Sequence, residues 1–133
     1  MGGKGGISNG VPDPSCAKLA NARNGILTFL RLLDPRYDRV GLAVLPPATG
    51  TSREAQCSVP TVENYDAPGA RYTIVPLSSD YATAPGTLNA TSTLIDRLGC
   101  QRAGGRTGYA NAIEAARGEL LLRGRPGVQK VIV

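Results

Sequence analysis

A glycine-rich loop is the segment of this chain whose residue types could take part in chemistry. Gly104-Gly105-Arg106-Thr107-Gly108 comes directly before a segment with helical periodicity. Free backbone N–H groups and the helix dipole attract anions at such a position. The loop matches neither the GxGxxG fingerprint nor the GxxxxGK[ST] loop, and no strand runs immediately into it. Two interpretations remain: Gly104, Gly105 and Gly108 form an anion cradle, or they only permit a tight loop in which Thr107 caps the helix.

Groups for acid–base catalysis are poorly supplied. The chain has no histidine, and Asp38, Asp66, Asp80 and Asp96 show no spacing that marks general acid–base work. We therefore assign no catalytic residue. A phosphate- or anion-binding α/β enzyme that uses the loop from Gly104 to Gly108 is kept as an alternative.

Three cysteines are present, Cys16, Cys57 and Cys100, without CxxC spacing. Because there is also no histidine, ordinary zinc, haem and Cys–His catalytic arrangements lack their ligands. The simplest arrangement is one disulfide and one unpaired thiol. Three reduced, buried thiols in a cytoplasmic protein are the alternative.

Size and charge set further limits. The 133 residues fit one domain. Fifteen lysines and arginines against ten acidic residues give a net charge of +5, but the arginines are scattered and only the stretch from Arg117 to Lys130 is locally basic. We therefore expect solvated charge and no nucleic-acid partner.

No run of about 18 apolar residues occurs, so no membrane contact by this segment is expected. The first ten residues do not resemble a signal peptide, so an export signal would have to lie outside this chain.

Hydrophobic periodicity and turn residues predict the elements that position the loop. The apolar run from Val40 to Leu45 is typical of a strand buried on both faces of a parallel sheet. Pro76 cannot donate to a ladder, so its strand is expected at a sheet edge, antiparallel to the strand before it. The predicted order begins with a flexible loop over 1–12, a helix from Pro14 to Leu33 and a strand from Val40 to Leu45. A loop from Pro47 to Ala70, a strand from Tyr72 to Leu77 and a polar loop from Ser78 to Pro85 follow. The last predicted elements are a short helix from Leu88 to Leu98 stopped by Gly99, a helix with Ala112, Ile113, Ala116 and Leu120 on one face, and a strand from Val128 to Val133.

Four segments in this order resemble a von Willebrand factor type A domain. They are Lys18-Leu19-Ala20-Asn21-Ala22-Arg23, the stretch from Phe29 to Pro35 with Asp38-Arg39-Val40-Gly41-Leu42, the loop from Gly104 to Tyr109, and the stretch from Pro126 to Val133. They are similar to that domain's first helix, second strand, metal loop and fourth strand. The similarity is greatest to bacterial versions attached to tight-adherence pilus-assembly proteins. It implies an α/β fold with a doubly wound, largely parallel sheet flanked by helices, covering residues 1–133 as a partial domain.

The resemblance also implies a function. In that family a magnesium ion is held by an Asp-x-Ser-x-Ser sequence, a later threonine and a late aspartate, and an acidic group of a protein ligand completes the metal shell. Thr107 matches the threonine by position, and its hydroxyl is a hard oxygen ligand suited to magnesium. The resemblance therefore implies a non-enzymatic adhesion module of an exported surface or pilus-associated protein, extracytoplasmic and membrane-anchored in its full-length form. That setting favours a disulfide between Cys57 and Cys100, which both lie in predicted loops, and leaves Cys16 to a partner cysteine elsewhere.

The family's other metal ligands have no counterpart in this sequence. Met1-Gly2 matches the Met-Gly that often follows the Asp-x-Ser-x-Ser sequence, and the late aspartate would follow Val133. We therefore expect that the first central strand and the last strands and helices of the domain are missing, and that this chain alone binds little or no Mg²⁺. Unpaired buried backbone groups cost about 1–3 kcal/mol each, so another chain could be needed to complete the sheet.

Overall fold

A computed structural model describes residues 7–8, 11–12, 17–57, 70–102 and 109–133 of the chain. Within these ranges the chain has mixed α/β structure. In chain order the elements are β1 (Ile7–Ser8), β2 (Val11–Pro12), α1 (Ala17–Leu32), β3 (Val40–Ala48), α2 (Arg53–Cys57), β4 (Arg71–Ser78), β5 (Ala82–Ala84), β6 (Thr87–Leu88), α3 (Thr93–Cys100) and α4 (Tyr109–Arg123).

The first long helix, α1, confirms the predicted helix over most of its length. It ends at Leu32, and a turn follows in which the amides of Tyr37 and Asp38 donate to the carbonyl of Asp34 at 2.9 and 2.7 Å. Pro35 lies inside this turn, where it cannot continue a helix. The predicted cap at Asp13 and Pro14 lies outside the described residues.

The strands β3 and β4 form an antiparallel pair, as the sequence predicts for these two segments. The register joins Val40 to Ser78, Leu42 to Val75 and Ala43 to Thr73, with irregularities between these pairs. β3 continues through Pro46 and Pro47 to Ala48, further than the predicted end at Leu45. The β4 side chains of Tyr72, Ile74 and Val75 are buried, whereas Pro76 is exposed.

The helices pack around this pair. α4 contacts both β3 and β4, and the Glu119 side chain in α4 accepts a hydrogen bond from the backbone amide of Leu77 in β4 at 2.8 Å. The core combines side chains of α1, the two strands, the β5 segment and α3. Its buried members are Leu30, Ala48, Ile74, Val75, Tyr81, Ala82, Leu94 and Leu98. As the low aromatic content leads one to expect, this core is largely aliphatic.

The prediction of a largely parallel, doubly wound sheet is wrong for the part of the chain that the structure describes. Its strands form three separate two-stranded sheets, and all three pairs are antiparallel. The segment from Val128 to Val133, predicted as the last strand, has no strand structure and is exposed. A strand needs a neighbour to satisfy its backbone, and no described strand pairs with this segment.

Several shorter predictions are corrected as well. The predicted flexible loop over 1–12 contains the short β1–β2 ladder, and the loop from Pro47 to Ala70 contains α2. The loop from Ser78 to Pro85 includes β5, which pairs with β6 around a Pro85–Gly86 turn. Gly86 has φ of 80°, a conformation that favours glycine at this position of a turn.

The short helix predicted from Leu88 to Leu98 is shifted along the chain. α3 begins after Ser92, whose buried hydroxyl caps the helix by accepting from the amide of Ile95 at 3.1 Å. Gly99 does not stop the helix, which continues to Cys100.

Candidate functional site

The loop that carries the predicted site lies outside the described residues. Gly104, Gly105, Thr107 and Gly108 all fall in the range 103–108. The structure does describe the residues on either side of this range. α3 ends at Cys100 and is followed by Gln101 and Arg102, and α4 begins at Tyr109.

Gln101, which follows α3, is held by three other parts of the chain. Its side-chain amide donates to the backbone carbonyls of Gln56 in α2 and Arg97 in α3, both at 2.9 Å. Its own backbone carbonyl accepts a hydrogen bond from the guanidinium of Arg23 in α1. Residue 101 is therefore anchored to α1, α2 and α3 at once.

A buried glutamine links α2 to the same cluster. The Gln56 side chain accepts from Nε of Arg97 at 2.6 Å and donates to the carbonyl of Ile74 in β4 at 3.5 Å. Gln56 is only 9% exposed, so leaving its amide without partners would cost about 1–3 kcal/mol. These bonds join α2, α3 and the sheet.

The rim of the cluster is charged. Asp96 in α3 accepts hydrogen bonds from Arg53 in α2 at 2.8 to 3.0 Å and pairs with the adjacent Arg97. Hydrogen bonding from Arg53 holds the pKa of Asp96 below its usual value. The carboxylate therefore stays ionised in a structural contact.

A disulfide joins Cys57, the last residue of α2, to Cys100, the last residue of α3. Their Cα atoms lie 5.3 Å apart and the two residues are 43 positions apart in sequence. The bond lies next to Gln56 and Gln101 in the chain, so covalent and hydrogen-bonded links between α2 and α3 occur at the same place. Cys16 lies outside the described residues.

A second notable polar group is the hydroxyl of Tyr81, which is fully buried. It has no hydrogen-bond partner among the described residues. Burial raises the pKa of Tyr81 to about 12, and the nearby negative charges of Asp38 and Asp34 act in the same direction. Asp34 itself pairs with Arg36 at 2.6 Å, and hydrogen bonds from Arg36 lower the pKa of Asp34.

Two features were sought among the described residues, a metal-ligand cluster and a membrane-spanning helix. No three histidine, cysteine, aspartate or glutamate side chains among the described residues are grouped so that they could hold a metal ion. In the same ranges, no helix has the length and apolar character needed to cross a membrane.

Sequence analysis did not identify the cluster around Gln56, Arg97 and Gln101. Gln56 and Arg97, which share a hydrogen bond, are 41 positions apart in sequence, and Gln56 and Gln101 are 45 positions apart. The available signal was the pair of cysteines, because a bond between Cys57 and Cys100 must bring the neighbouring glutamines together.

Comparisons with protein-family models, curated proteins and solved structures found no match for this chain. Functional inference therefore depends on the residues themselves.

Proposed function

We propose that this chain is a von Willebrand factor type A-like binding module of an exported, membrane-anchored bacterial surface or pilus-associated protein. It is non-enzymatic, and it recognises an acidic group of a protein ligand through Mg²⁺ in the complete domain. Thr107 is the ligand that this chain contributes, and its hydroxyl would supply one hard oxygen. When bound, the ion supplies an electrophilic centre for a carboxylate.

The observation that supports this proposal is the order of the elements. The segment that resembles the family's first helix lies in α1, and the segment that resembles its second strand includes the start of β3. The segment that resembles the metal loop lies between α3 and the start of α4. Three of the four similar segments thus occur at compatible places along the chain. The fourth, from Pro126 to Val133, does not form the expected strand.

Three of the described carboxylates are paired with arginines, in keeping with a non-enzymatic role for these groups. Asp34, Asp96 and Glu119 each accept hydrogen bonds from an arginine side chain at 2.6 to 3.1 Å. Such pairing stabilises the ionised form. It uses these three groups in structural contacts.

The test is a titration of the ¹⁵N-labelled chain with MgCl₂, followed through backbone amide chemical shifts. We expect binding no tighter than millimolar, because Mg²⁺ is usually held through one or two carboxylates and this chain offers a neutral hydroxyl. The shifts should be confined to residues 104–109 and disappear in Thr107→Ala. The matched control is Thr28→Ala, which removes an exposed threonine from α1.

Three results would contradict the proposal or part of it. Unchanged binding in Thr107→Ala would remove Thr107 from the site. Micromolar Mg²⁺ binding by wild type would contradict the expectation that the ligand set is incomplete. Selective movement of the Thr107 and Gly108 amides on titration with phosphate, with no response to Mg²⁺, would favour the alternative anion-binding enzyme.

A further inference from the structure

A small cavity lies where the turn after α1, the end of β4 and the turn after α4 meet. Its volume is about 80 Å³. A water molecule takes about 30 Å³ in the liquid, so the cavity has room for a group of several heavy atoms. Three of its lining side chains are basic, Arg39, Arg125 and Lys130, and one is acidic, Asp38. Arg39 and Lys130 are exposed, so the cavity opens to solvent on their side.

The charges that line this cavity are not balanced. The Asp38 carboxylate accepts a hydrogen bond from the backbone amide of Asp34 at 2.8 Å. All the ion pairs formed within the described ranges use other basic residues, so Arg39, Arg125 and Lys130 have no acidic partner there. Three positive charges and one negative charge give the lining a net charge of +2. The cavity is therefore suited to an anion.

Lys130 is held at the cavity by the turn that follows α4. Its ammonium donates to the backbone carbonyls of Arg125 at 3.3 Å and Val128 at 3.4 Å. Its Cε lies 2.7 Å from the position that a Cβ would take at Gly124, so the lysine stem passes over a residue without a side chain. Because an ammonium has three donors, one N–H remains for a ligand. The positive charge is thus positioned before a ligand arrives.

We propose that this cavity binds a phosphate group, either the free ion or a small phosphate monoester. Such a group carries about −1.5 to −2 charges at pH 7, which balances the +2 of the lining, whereas a carboxylate would balance half of it. Guanidinium groups bond to phosphate oxygens in pairs, and an ammonium acts on phosphate as a point charge. The inference does not depend on the proposed function, because the lining residues do not include Thr107.

The test is a titration of the ¹⁵N-labelled chain with sodium phosphate at constant ionic strength, followed through backbone amide chemical shifts. We expect saturable shifts for residues 37–39 and 124–130. The dissociation constant should be about 1 mM, because a ligand of so few heavy atoms has little binding energy at an open site.

Two further titrations define the ligand. Glycerol 3-phosphate is a monoester with no other charged group, so tighter binding of this ester identifies a monoester as the ligand, and tighter binding of phosphate identifies the free ion. Acetate should bind at least about fivefold more weakly than phosphate, because it brings a single negative charge to the same cations.

Three variants each remove one positive charge from the cavity: Arg39→Gln, Arg125→Gln and Lys130→Gln. Each should raise the dissociation constant for phosphate about threefold to tenfold, since each loses a charge-assisted contact at a site open to solvent. The matched control is Arg31→Gln, which removes the same charge from an exposed position of α1 outside the cavity. It should leave the dissociation constant unchanged. Unaltered amide shifts away from the cavity show that each variant is folded.

Four results would overturn the proposal. One is the absence of saturable shifts at residues 37–39 and 124–130. Another is an equal loss of phosphate binding in Arg31→Gln and Lys130→Gln, because net charge would then explain the binding. Acetate that binds as tightly as phosphate would contradict the ligand class. Shifts confined to the loop from Gly104 to Gly108 would assign the anion to that loop instead.

Discussion

Removal of the Cys57–Cys100 disulfide should lower the free energy of unfolding by about 4 kcal/mol. The perturbation is the double variant Cys57→Ala/Cys100→Ala. The bond closes a loop with a sequence separation of 43. In the chain-entropy model, a loop of this length removes about 13 cal/mol/K from the unfolded state, which is about 4 kcal/mol at 25 °C. Domains of this kind have about 5–15 kcal/mol in total, so the variant should lose a large part of its stability.

The folded state should change little, because hydrogen bonds join the same two helices. Gln101 bonds to Gln56, and Gln56 bonds to Arg97, without using either sulfur. The loss should therefore arise mainly in the unfolded state, which becomes more expanded. A larger dependence of the unfolding free energy on urea concentration should accompany the loss, because more surface becomes exposed on unfolding.

The assay is urea unfolding followed by circular dichroism, without reductant. A tryptic digest of wild type should first recover residues 54–71 joined to residues 98–102 through the disulfide. Wild type treated with dithiothreitol should match the double variant, whereas Cys16→Ala should match untreated wild type. Three free thiols in the non-reduced digest would refute the reasoning, and so would a loss below about 1 kcal/mol in the double variant.

Three further predictions concern single polar groups. Glu119→Ala should lower the free energy of unfolding by about 1–3 kcal/mol, because the Leu77 amide loses its acceptor. Glu114→Ala, in an exposed ion pair, should lower it by less than about 1 kcal/mol; equal effects in urea unfolding would contradict this. Tyr81→Phe should be neutral or stabilising at pH 7. The pKa of Tyr81 is raised to about 12 in the folded state, whereas a tyrosine in the unfolded chain has a pKa of about 10. The free energy of unfolding of wild type should therefore be highest below pH 10 and should fall as the pH rises towards 12. An equal alkaline loss in Tyr81→Phe would exclude Tyr81 as the cause. Asp96 has a lowered pKa in the folded state, so its contribution to stability is present above its unfolded pKa of about 4 and is lost as the pH falls through its folded pKa. The free energy of unfolding of Asp96→Asn, measured as a function of pH, should therefore fall less over this acid range than that of wild type. An identical acid profile would contradict the assignment.

The strand pair shows what local patterns can predict. The apolar run from Val40 to Leu45 and the position of Pro76 were sufficient to predict two strands and their antiparallel pairing. Both signals act within the segments themselves, since one is a continuous apolar run and the other is a missing backbone donor. Such features do not depend on the segments that surround the pair.

The segment from Val128 to Val133 shows where local patterns fail. Its composition favours a strand, but strand formation depends on a neighbour that supplies hydrogen bonds and covers the side chains. Val131 and Val133 are 61% and 97% exposed in the described structure. The prediction of a parallel sheet was wrong for the same reason. The order and direction of strands in a sheet depend on several segments together and cannot be read from one segment.

The candidate site was the least predictable part. The Gln56–Arg97–Gln101 cluster depends on α2, a helix of five residues with too little periodicity to recognise. The low intrinsic helix propensity of glycine predicts a helix stop at Gly99. In the structure α3 continues to Cys100, where the disulfide and Gln101 bind the end of the helix to α2.

The disulfide also determines how this chain would respond to tension. A pull applied at the two ends of the chain would pass from Cys57 to Cys100 through the sulfur atoms, so β4, the β5–β6 hairpin and α3 lie in a loop that bears no load along its backbone. The 43-residue separation corresponds to about 150 Å of extended chain, and this length cannot be released while the bond is intact. An intact chain would therefore extend by about that much less than a reduced one.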